Sequence, residues 1–454
     1  MIKIFIDKSL RINHKIKILL DHIFSVLGCA YDITEDPNLA DVIYSGNRSY
    51  NTTGAVFLYL DDSQWASSGV VKNNLEFENY DCIYNCFYLM FRLWEDAARK
   101  DNYGVVSLRG GDGPQIISTS YVGEFIHKLR GIIRRKYDID LEPLWPRNAK
   151  YCVVFSHDVD QPFEYLTPRY YRDEYLWKRR NGFASLSKLK SIVNFGGSLM
   201  NSVRTNRNYG FRFWNDLERS LGGKSAFYVS VKTPFDKNGH QCDVPYHYDD
   251  TKMVTTMNEM INEGWEIGLH ASMNSYQSSE KVQEEKYALE RVLGGYKLKG
   301  IRHHYWRLGD DIDATHQRHY ESGFQYDSSL GLNDFLGFRA GTVWPYKLVL
   351  DRRDESKGLY EIPPTIMDGN IFYDKDSKEN YINSINSHFS YVKSLNGCVV
   401  LDWHLEQSNF SRLNGAGRIL EEVLDSLNFS DCFVTSPEGL LEWWVEREKR
   451  IFCK

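Results

Sequence analysis

Two carboxylates two residues apart, Asp158 and Asp160, follow a short apolar run at residues 151–156 through His157. If that run is a buried parallel strand, polar groups at its C-terminal end point into the mouth where α/β barrels do their chemistry. One carboxylate of such a pair can hold a cation while the other is left as a base. The plainer alternative makes Asp160 a helix cap and Asp158 a buried ion-pair partner. Three further apolar runs end in the same way. Residues 265–270 deliver His270, with Asn274 just beyond; residues 300–305 deliver Arg302, His303 and His304; residues 399–404 deliver Asp402, Trp403 and His404. Acid, imidazole, guanidinium and a second imidazole at separate strand ends are what a metal-assisted hydrolase requires.

Five stretches then follow one another along the chain. They are Ser156-His-Asp-Val-Asp160, Gly268-Leu-His270-Ala-Ser-Met-Asn274, Arg302-His-His-Tyr305, Tyr326-Asp-Ser-Ser329 with Gly337-Phe-Arg-Ala-Gly341, and Leu401-Asp-Trp-His404. In that order they resemble the motifs of the polysaccharide deacetylases (family 4 carbohydrate esterases, with the chitooligosaccharide-deacetylase homology domain). The resemblance spans roughly residues 150–445. It implies a distorted (β/α) barrel with one divalent metal, often zinc, that removes N-acetyl or O-acetyl groups from sugars. It implies Asp160 and His270 as metal ligands and Asp158 as general base, with Arg302 as the cation that holds and tunes it. His404 would protonate the departing amine or alkoxide. The backbone N–H of Tyr305 would help hold the oxyanion, and Tyr305, His304 and Trp403 are the candidate substrate-binding residues.

Two positions depart from the family pattern. Asn274 stands where the second metal histidine is usual, and His304 where proline is usual. A carboxamide oxygen is a weaker partner than imidazole for a borderline metal. Three outcomes stay open: Asn274 or a water completes the shell; His157, His303 or His304 substitutes; or the metal is held poorly. The favoured reading is a hydrolase of an acetylated sugar or glycan biosynthetic intermediate, nucleotide- or lipid-linked. The alternatives are a carbohydrate-binding scaffold that lost turnover and a hydrolase of non-sugar C–N amide bonds.

The elements that must position these groups can be read from the apolar pattern. Beyond residue 149, runs at 151–156, 225–231, 266–269, 300–303, 324–327, 360–363 and 398–401 suit buried parallel strands. Helical spacing at 251–263, 280–293 and 438–446 lies between or after them. That alternation predicts a (β/α) barrel over 149–454. Ahead of it, strand signals at 3–6, 41–44 and 55–60 and helical signals at 16–27, 86–99 and 121–136 predict a smaller α/β domain over 1–145. A proline-punctuated linker, with Pro143 and Pro146, separates the two.

Composition narrows the partners. The 454 residues carry a formal charge of −6, which disfavours a broadly basic nucleic-acid binder. Yet residues 161–224 hold twelve Lys or Arg against five Asp or Glu, with many aromatics. This segment is expected to be a solvated helical insertion; as a basic lid it would attract phosphate-bearing glycans or a membrane surface. No apolar window approaches the ~18 residues of a membrane helix. The N-terminal residues read as a strand rather than an export signal, and eight cysteines lack a CxxC pair; a cytoplasmic location is expected. His240, Cys242 and His247 match no zinc module, residues 110–114 read as a turn, and Leu221-Gly-Gly-Lys-Ser225 fails as a phosphate loop. His316 and His319, in a charged helical stretch, are expected to be solvated, and Cys82 and Cys86 to be packing residues.

Overall fold

A computed structural model describes residues 1–52, 54–67, 74–101, 104–108, 117–162, 168–180, 185–202, 210–231, 243–350, 358–372, 376–409 and 412–453. Its fold is mixed α/β, with two sheets. The strands β1 (Ile2–Ile6), β2 (Tyr31–Thr34), β3 (Val42–Ser45) and β4 (Val56–Tyr59) form a wholly parallel sheet in the order β2-β1-β3-β4. Three lie on predicted runs. The fourth, β2, is an edge strand with no fully buried residue, so it carries no apolar run to read.

The helix His14–Leu27 starts where Asn13 accepts from the N–H groups of Lys15 and Ile16, and ends at Gly28 with φ 86°. The helix predicted over 86–99 is different. Asp81 caps a helix at Cys82–Met90, and Arg92, at φ 56°, breaks it before a 3-10 turn at Leu93–Ala97. Arg92 is drawn inward, donating to the carbonyl of Met90 at 3.3 Å and to Asp313 at 3.4 Å, which a continuous helix would not allow. Cys82 and Cys86 are buried there as packing residues.

The second sheet has ten strands: β5 (Tyr151–Val159), β6 (Ala226–Val229), β7 (Glu266–Ala271), β8 (Gly300–His303), β9 (Tyr326–Asp327), β10 (Tyr346–Leu350), β11 (Gly358–Glu361), β12 (Ile366–Met367), β13 (Cys398–Asp402) and β14 (Cys432–Thr435). They run β10-β11-β9-β8-β7-β6-β5-β13-β12, parallel throughout except for the antiparallel β10–β11 pair. All nine residues of β5 are buried, as a central parallel strand covered on both faces requires. On one edge it pairs with β13; on the other, β14 takes residues 151–154 and β6 takes 156–159. The sheet curls as a half-barrel whose outer strands, β10 and β12, do not pair among the described residues.

Buried residues of both sheets join one apolar cluster. The helix Pro437–Phe452, capped by Ser436, ties them together. Its buried Arg447 donates to the carbonyls of Ser25 at 2.6 Å, Pro143 at 2.6 Å and Glu142 at 3.2 Å.

In the basic segment, Phe211 and Trp214 of the helix Gly210–Ser220 are buried against the sheet. The paired helices Pro168–Arg180 and Ser185–Ser202 instead leave Leu186, Leu189, Ile192, Val193 and Leu199 exposed. Among the described residues, no helix is long and apolar enough to cross a membrane. Of the zinc-module candidates, His240 and Cys242 lie outside the described residues, as does the 110–114 turn.

Candidate active site

The alternation of β5 decides which of its polar groups enters the half-barrel. Ser156 and Asp158 share a face and both meet Arg302 of β8. His157 points the other way. Its Nδ1 lies 2.7 Å from the carbonyl of Trp403 and its Nε2 2.6 Å from Glu218, and its ring is sandwiched between Trp214 and Phe227. It is a packing residue and leaves the candidate ligand set.

Arg302 is fully buried, and its five N–H groups meet five acceptors. Nη1 donates to Asp158 at 3.0 Å and Asp402 at 2.8 Å, Nη2 to the hydroxyls of Ser156 at 2.8 Å and Ser328 at 2.9 Å, and Nε to the carbonyl of Ser328 at 2.9 Å. Burial pushes the Asp158 carboxyl up, but the facing His270 and Arg302 outweigh it and hold the group below the ordinary range. Asp402, with less compensation, is raised to about 7 by its burial. Asp158 is therefore a carboxylate at neutral pH. Its Oδ2 lies 3.6 Å from His270 Nε2.

Asp160, His270 and His304 each place a ligand atom within 4.8 Å of the other two. His270 Nδ1 faces the carbonyl of Arg302 at 3.2 Å, so in the neutral ring that nitrogen carries the proton and Nε2 presents a lone pair. His270 Nε2 and Asp160 Oδ1 are 3.4 Å apart, both buried, and neither has a hydrogen-bond partner. Two acceptors facing each other with no donor between them fit a cation. His304 Nε2 lies 3.5 Å from Asp160 Oδ2, while its Nδ1 is 3.0 Å from Asp243, the carboxylate–imidazole arrangement that orients metal ligands. Against the pull of burial, Asp160 and Asp243 push the His304 imidazolium up to about 10; a divalent cation bound there would displace that proton.

His304, expected from the sequence to bind substrate or to substitute as an imidazole ligand, is thus the third member of the triad. Asn274 is exposed, and its carboxamide oxygen accepts from Arg307 at 2.8 Å instead. His303 faces inward to His319, with the two Nε2 atoms 2.9 Å apart. Trp403 is wholly buried, against Phe372, so its ring packs the core and does not face a substrate. Tyr305 does face outward: the residue is 43% exposed, and its ring lies 4.3 Å from that of His304. Its backbone is left-handed, at φ 60°.

Across the triad, His404 Nε2 approaches Asp160 Oδ2 at 3.8 Å. Its Nδ1 pairs with Asp368 Oδ1 at 2.8 Å, and its backbone N–H donates to Asp368 Oδ2 at 3.1 Å. Burial would lower its pKa, but Asp368 and the neighbouring acids overcome that and hold it well above the usual histidine range. Asp243 and Asp368 were not anticipated. Asp368 follows a strand of two residues, too short for any apolar period to mark. His316 and His319, expected in solvent, are buried because their helix, Ile312–Glu321, turns that face onto the sheet.

No family model and no curated protein matches the chain. Among solved structures, it is similar to one described as a polysaccharide deacetylase from Mycobacterium smegmatis, at 16% identity and a TM-score of 0.43, covering 68% of this chain and 96% of that one. A polysaccharide deacetylase from Pseudomonas aeruginosa PAO1 gives 15% and 0.42, over 69% and 97%. The Puue allantoinase gives 14% and 0.41, over 67% and 94%.

Proposed function

We propose that the chain is a metal-dependent hydrolase that removes acetyl groups from a sugar or glycan intermediate, with residues 1–145 as an accessory domain. The observation that carries this reading is the unpartnered pair Asp160 Oδ1 and His270 Nε2, with Asp158 beside it and His404 across from it. Asp160, His270 and His304 would hold the cation, zinc being the natural choice for this N,N,O set. When bound, such a cation polarises a carbonyl and acidifies water beside it. Asp158, kept ionised by Arg302 and His270, accepts the proton of the attacking water. His404, kept protonated by Asp368, gives a proton to the departing nitrogen or oxygen. Tyr305 offers an exposed ring against which a sugar face can lie.

The test is acetate release from a panel of N- and O-acetylated sugars by the zinc-loaded chain. Asp158→Asn should lower kcat by about 10²–10⁴-fold, the span of a general base, with zinc stoichiometry unchanged. A zinc-loaded protein that releases no acetate from any member of the panel overturns the reading.

The exposed apolar residues of Ser185–Ser202, beside Lys188 and Lys190, favour peripheral contact with an anionic membrane surface. The full chain should co-sediment with vesicles containing phosphatidylglycerol, and Leu189→Glu with Val193→Glu should abolish this. Equal sedimentation of the two proteins would refute it.

A further inference from the structure

A second set of ionisable side chains lies buried away from the triad. Asp327 ends β9 and Glu361 ends β11, and the two are register partners on adjacent parallel strands, both wholly buried. Like charges side by side repel, and burial removes the water that would soften the repulsion. His316 completes the group: it, Asp327 and Glu361 each place a ligand atom within 4.8 Å of the other two. His316 Nε2, Asp327 Oδ1 and Glu361 Oε2 are all buried without a hydrogen-bond partner. The remaining oxygens are engaged, Asp327 Oδ2 with His319 Nδ1 at 2.5 Å and Glu361 Oε1 with the N–H of Leu330 at 2.9 Å. The neighbouring cations are engaged too. Arg339 forms a two-bond pair with Glu95 at 2.8 and 3.0 Å, and Arg92 is turned to Asp313 and the carbonyl of Met90.

We infer that His316, Asp327 and Glu361 form a second cation site, structural in role, that takes a divalent metal such as zinc. Two carboxylates and a neutral imidazole balance a double charge, and one nitrogen with two oxygens suits a borderline ion. His319 orients Asp327 as outer partners orient metal ligands, and is itself met by His303. The ion joins the helix Ile312–Glu321 to β9 and β11, whose pairing has only two register partners.

The full chain, stripped with chelator and titrated with zinc, should bind two equivalents. Glu361→Gln keeps an acceptor for Leu330 but loses the charge; it should bind one equivalent and show a smaller rise in Tm on zinc addition. His316→Gln, which removes the nitrogen ligand, should do the same and serves if the first variant misfolds. Asp160→Asn should lose the other equivalent and retain this one. A wild-type chain binding a single equivalent, kept in Glu361→Gln and lost in Asp160→Asn, overturns the second site and leaves the catalytic reading intact. An equivalent kept in Asp160→Asn but lost in Glu361→Gln supports the second site while counting against the first.

Discussion

An imidazole at position 304 changes what position 274 has to do. His304 stands beside Asp160 with its far nitrogen on Asp243, whereas Asn274 is occupied by Arg307. The two residues should therefore separate in a calorimetric zinc titration. Asn274→Ala should leave affinity for the catalytic ion unchanged. His304→Ala should weaken it strongly, and Asp243→Asn by about 10–100-fold, as loss of an orienting partner does. Equal losses at 274 and 304 would mean that the carboxamide swings in as a ligand.

At the scale of elements, Arg302 is the joint of the half-barrel, since its guanidinium meets β5, β13 and the segment after β9 at once. Lysine supplies three donors where five acceptors wait, and each buried acceptor left unmet costs about 1–3 kcal/mol. Arg302→Lys should lower unfolding free energy by at least about 2 kcal/mol in urea titrations. A smaller change would mean that water repairs the cluster. This joint was partly legible in the sequence, because Asp158, Arg302, Asp402 and His404 each end or follow a readable apolar run. β12 has two residues and β2 half-exposed ones, so neither leaves a period, and Asp368 went unseen with β12. The charged stretch 312–321 hid its buried face because His316 and His319 look polar until the sheet that covers them is known.

For the whole molecule, acid should act through histidines remote from the site. His22 and His388 are held down to about 3 by burial alone. An unfolded histidine takes up its proton near pH 6.5. Below that pH the unfolded chain binds more protons than the folded one, so stability falls from about 6.5 toward 3 and is untouched above. Urea midpoints should drop between pH 7.5 and 5, and less so in a His22→Gln, His388→Gln protein. An equal drop in both would assign the loss to other groups.

The shared edge of β5 bears on how the chain assembles as it leaves the ribosome. Half of that edge is filled by β14, some 280 residues later, and the helix after β14 inserts Arg447 among carbonyls of residues 25, 142 and 143. An emerging chain can build the four-stranded sheet early, but the central strand of the larger one has a gap until residue 435 is synthesised. Such long-range closure is slow, and the waiting β5, apolar from Tyr151 to Phe155 and buried along its whole length in the finished sheet, is the stretch that a chaperone would have to shield.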